Sequence, residues 1–409
     1  MNLYAAIILT ALIAEYVTEL LADRANARAL DPELPKEFDG VYDADSYRRS
    51  QEYTRARARF SLWPSTASLI SLLAFWWLGG FGWLDGAVRE LDRGPILTGL
   101  VFMGALFIAQ GVLGLPFQWW STFVIEERFG FNRTDAKTFW GDRAKGLALA
   151  VVLGGPLLAL ILFFFDRAGS SAWLWCWGVA TAFSLAVQFI APTWLMPLFN
   201  KFTPLEDGEL KSALTKYADS VAFPLDDVFV IDGSKRSSKA NAFFTGFGKH
   251  KRIALFDTLV EQQSPDELVA VLAHEIGHYK RKHILKSMVL SFLHTGLLFW
   301  LLSYFLSEPA LFQAFGVEVP SVYAGLVFFS LLLKPVEMGL SLALHAFSRK
   351  NEFEADAFAA ETTGQPEKLI SALKKLSLES LSNLTPHPVY VLLHYSHPPV
   401  LQRIAALRG

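Results

Sequence analysis

His274, Glu275 and His278 stand together in LAHEIGHYKRKH as His-Glu-x-x-His. Histidines four apart on a helix share a face and lie one turn apart, so both imidazoles reach one cation. The glutamate beside the first histidine is angled toward the cation's bound water instead of the cation. A zinc ion in such a site brings the pKa of that water toward neutrality, and Glu275 accepts its proton and passes it to the leaving amine. Hydrolysis of a peptide bond, with one zinc per chain, is the chemistry this spacing implies.

A catalytic zinc takes a third protein ligand and leaves its fourth position to water. The single cysteine, Cys176, lies within an apolar run and offers neither an intrachain disulfide nor a thiolate cluster. The stretch SRKNEFEADAFAAE holds the remaining candidates. In one reading Glu352 binds zinc and Asp356, four residues on, accepts a hydrogen bond from a ligand imidazole and so fixes its tautomer. Glu354 and Glu361 compete with Glu352 on spacing alone, the bland account being a solvated acidic face. His397 in HYSHPPVLQR and Arg403 suit negative charge on a scissile carbonyl oxygen, or else are a loop histidine and a capping arginine. His250, His283, His294, His345, His387 and His394 receive no role.

These side chains need elements to hold them. Ser264 as N-cap, Pro265 in the first turn and Glu267 three residues after the cap start a helix through the motif, and the basic run from Lys280 to Lys282 suits its negative end. Ahead of it, DGELKSALTKYADSVA has helical spacing, while DVFVIDGS, ANAFFTGFG and RIALFDTLV read as short strands. Residues 193–283 thus form a small α+β unit.

The rest is built for lipid. The chain is 52% hydrophobic with a mean hydropathy of +0.31. Apolar runs long enough to span a bilayer fall at about 3–22, 62–84, 95–119, 147–165, 172–192, 284–306 and 321–345. The first has no basic leader or small-residue cleavage site before it and reads as a retained signal-anchor. Segments 23–60, 126–146 and 346–409 carry eight, five and seven Lys or Arg, whereas 85–94, 166–171 and 307–320 carry two, one and none. That alternation places the amino terminus outside and segments 23–60, 126–146, 193–283 and 346–409 in the cytoplasm. A net charge of −2 gives no case for nucleic acid. Glu15, Glu19, Gln188, His294, Lys334 and Glu337 lie inside the spans; the bland account pairs Lys334 with Glu337, the other places these groups around internal water.

The chain resembles the integral-membrane zinc CAAX prenyl proteases, which trim prenylated a-factor and prelamin precursors. IEERFGFNRTDAKTFWGDRAKG, PLFNKFTPLEDGELK, SKRSSKANAFFTGFG, LAHEIGHYKRKH, SRKNEFEADAFA and HYSHPPVLQRI follow one another in that family's order. The resemblance implies seven spans forming a barrel around a water-filled chamber, with a cytoplasmic metalloprotease domain. It also implies that Glu352 and Asp356 are the Glu and Asp of E-x-x-A-D, and that His397 and Arg403 lie near the reacting carbonyl. Asn241, Ala242 and Phe243 match an edge strand that pairs with extended substrate. The short connections suit a bacterial member in the inner membrane, where the substrate could instead be a poorly inserted membrane protein.

Two other readings compete. A site-2-type intramembrane protease buries its ligands within spans, but here the motif helix is polar on its far side and precedes its span. A channel or scaffold with structural zinc needs four protein ligands and leaves Glu275 idle.

Overall fold

Lipid offers no partner for backbone N–H and C=O groups, so the apolar runs fold as helices that satisfy their own. The computed structural model describes residues 2–245 and 251–409. In chain order the helices of the first half are α1 (Leu3–Arg28), α2 (Ala44–Trp77), α3 (Gly80–Arg89), α4 (Gly94–Trp120), α5 (Ala136–Leu149), α6 (Gly155–Arg167) and α7 (Ala172–Ile190). Strand β1 (Phe202–Pro204), α8 (Glu209–Ser220), strands β2 (Leu225–Ile231), β3 (Ala242–Thr245) and β4 (Lys251–Phe256), α9 (Asp257–Gln262) and α10 (Pro265–Lys280) follow. Then come α11 (His283–Phe305), α12 (Pro309–Gln313), α13 (Val322–Leu332), α14 (Lys334–Thr363), α15 (Pro366–Glu379), α16 (Pro388–His394) and α17 (Val400–Arg408).

Five continuous helical stretches among the described residues are long and apolar enough to cross a membrane, or up to seven if each of two bent pairs counts as one span. The α2–α3 pair bends by 64° and the α13–α14 pair by 57°. Gly79, at φ +76°, supplies the left-handed turn at the first bend. At the second, Pro335 has no N–H to give and its ring clashes with the preceding turn. Segment 23–60, read as a connection, is helical over most of its length, because α1 runs on to Arg28 and α2 begins at Ala44.

Lys334 and Glu337 do not pair with each other. Lys334 bonds Glu15 of α1 at 3.1 Å, Glu337 meets His294 of α11 at 3.1 Å, and Glu19 meets His394 of α16 at 3.3 Å. An i,i+3 partner lies on the same helix, but these long side chains reach other helices that surround them at the same depth.

The soluble unit is a four-stranded sheet in the order β1-β2-β4-β3, packed on α8, α10 and α15 through Leu214, Val228, Leu255, Leu268, Leu272 and Leu369. The three strands and the helices expected here are present; β1 and the helical end of RIALFDTLV are additions. Residues 246–250, which include His250 and the end of ANAFFTGFG, lie outside the described residues.

The capping box expected at Ser264 and Glu267 is formed, and Glu267 also accepts bonds from Ser371 at 2.6 Å and Lys375 at 2.7 Å on α15. Burial pushes its carboxyl up, but these bonds hold it down at about 2, against 4.5 in an open chain. Its stabilisation is therefore complete above pH ~4.5 and drains away as pH falls toward ~2. Glu267→Gln should cost about 2 kcal/mol at neutral pH, after a discount for the half-exposed lysine. Thermal unfolding should show a gap of a few degrees at pH ~7 that has mostly closed at pH ~2.5; a constant gap would show that the carboxylate's charge is not what matters.

Candidate metal centre

Helix α10 crosses α14 at small residues. A Cβ on Gly277 would stand 3.0 Å from the Ala355 backbone and 3.3 Å from Phe358 Cβ, so the glycine inside the histidine motif permits close backbone approach. Ala273, Ala355 and Ala359 are fully buried along the same seam. This contact carries two histidines of one helix up to the carboxylates of another.

His274 Nε2 and His278 Nε2 are 3.2 Å apart, and the Glu352 carboxylate oxygens lie 3.5 and 3.3 Å from them respectively. A tetrahedron with bonds of about 2.0–2.1 Å has edges of about 3.3 Å, so these separations fit three ligands of one tetrahedral cation. They form the one such group of three among the described residues. Glu352 Oε2 is buried without a hydrogen-bond partner, as a metal ligand's oxygen would be. Burial lifts the Glu352 carboxyl, yet the His274 and His278 imidazoles beside it and the Arg403 guanidinium hold it well below the usual range. Burial likewise opposes charging His274, but Asp356 and Glu352 win and raise it to about 9. A positive charge is favoured where these groups converge.

Both imidazoles are oriented from behind. His274 Nδ1 donates to Asp356 Oδ1 at 2.7 Å, which leaves Nε2 bare toward the centre. Asp356 also accepts a bidentate pair from Arg403, Nε at 2.7 Å and Nη2 at 2.6 Å, and Arg403 Nη1 lies 3.5 Å from Glu352. His278 leans on a histidine that its spacing gave no reason to choose: Nδ1 is 3.0 Å from Nδ1 of His283, whose Nε2 is 3.0 Å from Glu354. An ionised carboxylate only accepts, so His283 carries its proton on Nε2, accepts from His278 at Nδ1, and leaves His278 Nε2 bare as well. Glu361 lies at the surface, 3.8 Å from Arg281. His283→Ala should weaken metal binding roughly 10–100-fold, as loss of such an outer partner does elsewhere. Titration with a competing chelator would measure it; an unchanged affinity would reduce the His283–Glu354 pair to packing.

A cavity of about 300 Å³ is lined by His274, His278 and Glu352 together with Glu275, His397, Arg403, Asn241 and Ala242. Glu275 is partly exposed at the cavity wall, and desolvation raises its carboxyl, making it a stronger base. His397 is the open member, with 65% of its side chain exposed and Nε2 3.5 Å from Glu352. Phe243 points the other way: strand residues alternate in direction, and its ring meets Phe256 edge-on. β3 pairs with β4 along one side and is the last strand of its sheet, which leaves its other edge free of the sheet.

Residues 24–201 match the model of the CAAX prenyl protease N-terminal region with five membrane helices, and 204–409 match that of peptidase family M48. CAAX prenyl protease 1 of Saccharomyces cerevisiae is 37% identical over 97% of this chain and 93% of its own. The rice CAAX prenyl protease 1 homolog is 38% identical over 99% and 97%. The crystal structure of S. mikatae Ste24p superposes with a TM-score of 0.95 at 35% identity, covering 100% of both chains. These relatives are eukaryotic and lend no support to a bacterial source.

Proposed function

The chain belongs to peptidase family M48, with a CAAX prenyl protease amino-terminal region ahead of the peptidase part, and from that premise we propose that it cuts prenylated polypeptides near a carboxy-terminal CAAX sequence. It is a multi-pass membrane metalloprotease. The observation that carries the mechanism is the convergence of His274, His278 and Glu352 at tetrahedral spacing beside Glu275, whose carboxyl lines the same cavity.

Zinc bound by His274, His278 and Glu352 would polarise the scissile carbonyl and acidify a water. Glu275 takes the water's proton and returns it to the leaving amine. Asp356 and His283 hold the ligand imidazoles in the tautomer that faces the centre. Arg403 spends two donors on Asp356, so it positions the ligand set, while exposed His397 is the group free to meet the developing oxyanion. Ala242, in the free-edged strand β3, receives the substrate backbone as an added strand, and Asn241, just before that strand, lines the same cavity.

Seven spans around a wet chamber, with the soluble unit in the cytoplasm, follow if both bent pairs cross the membrane; the basic segments support that orientation. Cross-helix pairs such as Glu15–Lys334 and a cavity of about 420 Å³ that Gln188, Ser287, Ser291 and His283 help to line support internal water. The compact connections are the one feature in favour of a bacterial inner membrane.

The test is a pair of peptides, one farnesylated at its CAAX cysteine and its unlipidated twin, incubated with the purified full chain while bound zinc is quantified. Preference for the farnesylated peptide is expected. Equal cleavage would replace prenylated substrates by poorly inserted membrane proteins, and no cleavage with zinc bound would favour a structural metal.

A further inference from the structure

A groove of about 710 Å³ runs between α2 and the end of α4 and shares no lining residue with the cavity at the metal centre. Glu52, Arg55, Ala56, Arg59 and Trp63 line it from α2, spaced as one helical stripe. Pro116, Phe117, Trp120, Val124 and Arg128 line it from the other side. The next face of α2 around is already used: Tyr53 bonds Glu126 and Lys239, and Ser61 bonds Asp23 of α1. The groove therefore opens away from the soluble unit's contacts, at the end of the spans where that unit sits.

Its two ends differ in chemistry. Trp63 is 70% exposed and Trp120 54% exposed, on neighbouring helices, which is the arrangement of side chains that sit at headgroup level. One to two turns beyond them toward the soluble unit come three guanidinium groups, Arg59 one turn from Trp63, and Arg55 and Arg128 about two turns from Trp63 and Trp120. Arg55 has a long contact to Gln51 at 3.4 Å and Arg128 lies over the Phe129 ring, but among the described residues none of Arg55, Arg59 and Arg128 pairs with a carboxylate. Glu52, the one acid in the groove, is 4.0 Å from Arg48. Unpaired arginines above an aromatic trough match a phosphate above acyl chains.

We propose that this groove is a binding site for one anionic phospholipid, its headgroup phosphate held by Arg55, Arg59 and Arg128 and its chains laid against Trp63, Phe117 and Trp120. The site does not depend on the protease reading. It would seat the soluble unit against a charged leaflet at the place where α2 emerges.

The full chain in nanodiscs of equal phosphatidylglycerol and phosphatidylcholine would be ejected in a native mass spectrometer, and a photoreactive phosphatidylglycerol would be mapped by its cross-links. Wild type should retain phosphatidylglycerol at least roughly tenfold over phosphatidylcholine, since each basic group at a charged surface is worth roughly a factor of five. Cross-links should fall on 52–63 and 116–128. Arg55→Gln with Arg59→Gln and Arg128→Gln should lose the preference, while a charge-matched set outside the groove, Arg24→Gln with Arg28→Gln and Arg133→Gln, should keep it. If the triple variant fails to fold, Arg59→Gln alone should still lose roughly fivefold. Equal retention of the two lipids, or equal loss in both variants, would leave only general surface charge and overturn the site. Displacement of the photoreactive lipid by a farnesylated peptide, without regard to headgroup, would assign the groove to the substrate's chain and overturn it too.

Discussion

Glu275→Gln is expected to keep one metal ion per chain and to slow peptide cleavage by roughly 10³–10⁴-fold, at the upper end of what a general base supplies. The substitution preserves shape and removes only the capacity to take a proton. The side chain lines the cavity formed by His274, His278 and Glu352 but is not one of the converging ligands. Its carboxyl is desolvated, so the charge it carries as a base is poorly stabilised by solvent and its proton affinity is raised. Single-turnover cleavage of a saturating peptide, with metal counted in the same sample, separates the two effects. Full activity would remove Glu275 from the reaction; loss of the metal would make it a ligand and reopen the geometry.

Glu352→Gln is expected to do the reverse, dropping metal affinity at least ~100-fold and activity with it. Apparent binding of a structural zinc is worth about 10–16 kcal/mol over four ligands, so one charged ligand carries roughly 3 kcal/mol or more. Removal also strips a buried anion from between two histidines and Arg403, leaving positive groups facing one another. Glu354→Gln is the informative comparison. That carboxylate reaches the centre only through His283 and His278, and its loss should cost roughly tenfold. If Glu354→Gln proved the more damaging of the two, the choice of Glu352 as ligand would fail.

Part of this site could be read without coordinates. His-Glu-x-x-His is local: helical periodicity alone puts His274 and His278 on one face, and Ser264, Pro265 and Glu267 announce where that helix begins. Strands β2, β3 and β4 were legible for the same reason, since alternation and turn residues act over a few positions. Glu352 was different. Three glutamates, 352, 354 and 361, lie on one helix, and spacing within α14 cannot say which of them faces α10. The Gly277–Ala355 contact decides it, turning Glu352 to the centre and leaving Glu361 at the surface.

His283 was out of reach for a related reason. It lies past the end of α10, where Lys282 at φ +58° starts a new helix, and nothing periodic links it to His278 across that break. The break at Lys282 brings His283 to within 3.0 Å of His278. Arg403 also changed its partner: a positive group near the chemistry was legible, but its bidentate grip on Asp356 depends on α17 packing against α14.

What the sequence determined by itself is everything set by neighbours in the chain: apolar runs long enough for a bilayer, the basic segments between them, the capped helix and the two histidines it presents. What only the tertiary structure decided is which distant groups complete the centre, which intramembrane charges pair, and where the second and seventh apolar runs bend. Those depend on the approach of helices far apart in sequence, and a one-dimensional pattern carries each helix's own period but not the angle at which another helix meets it.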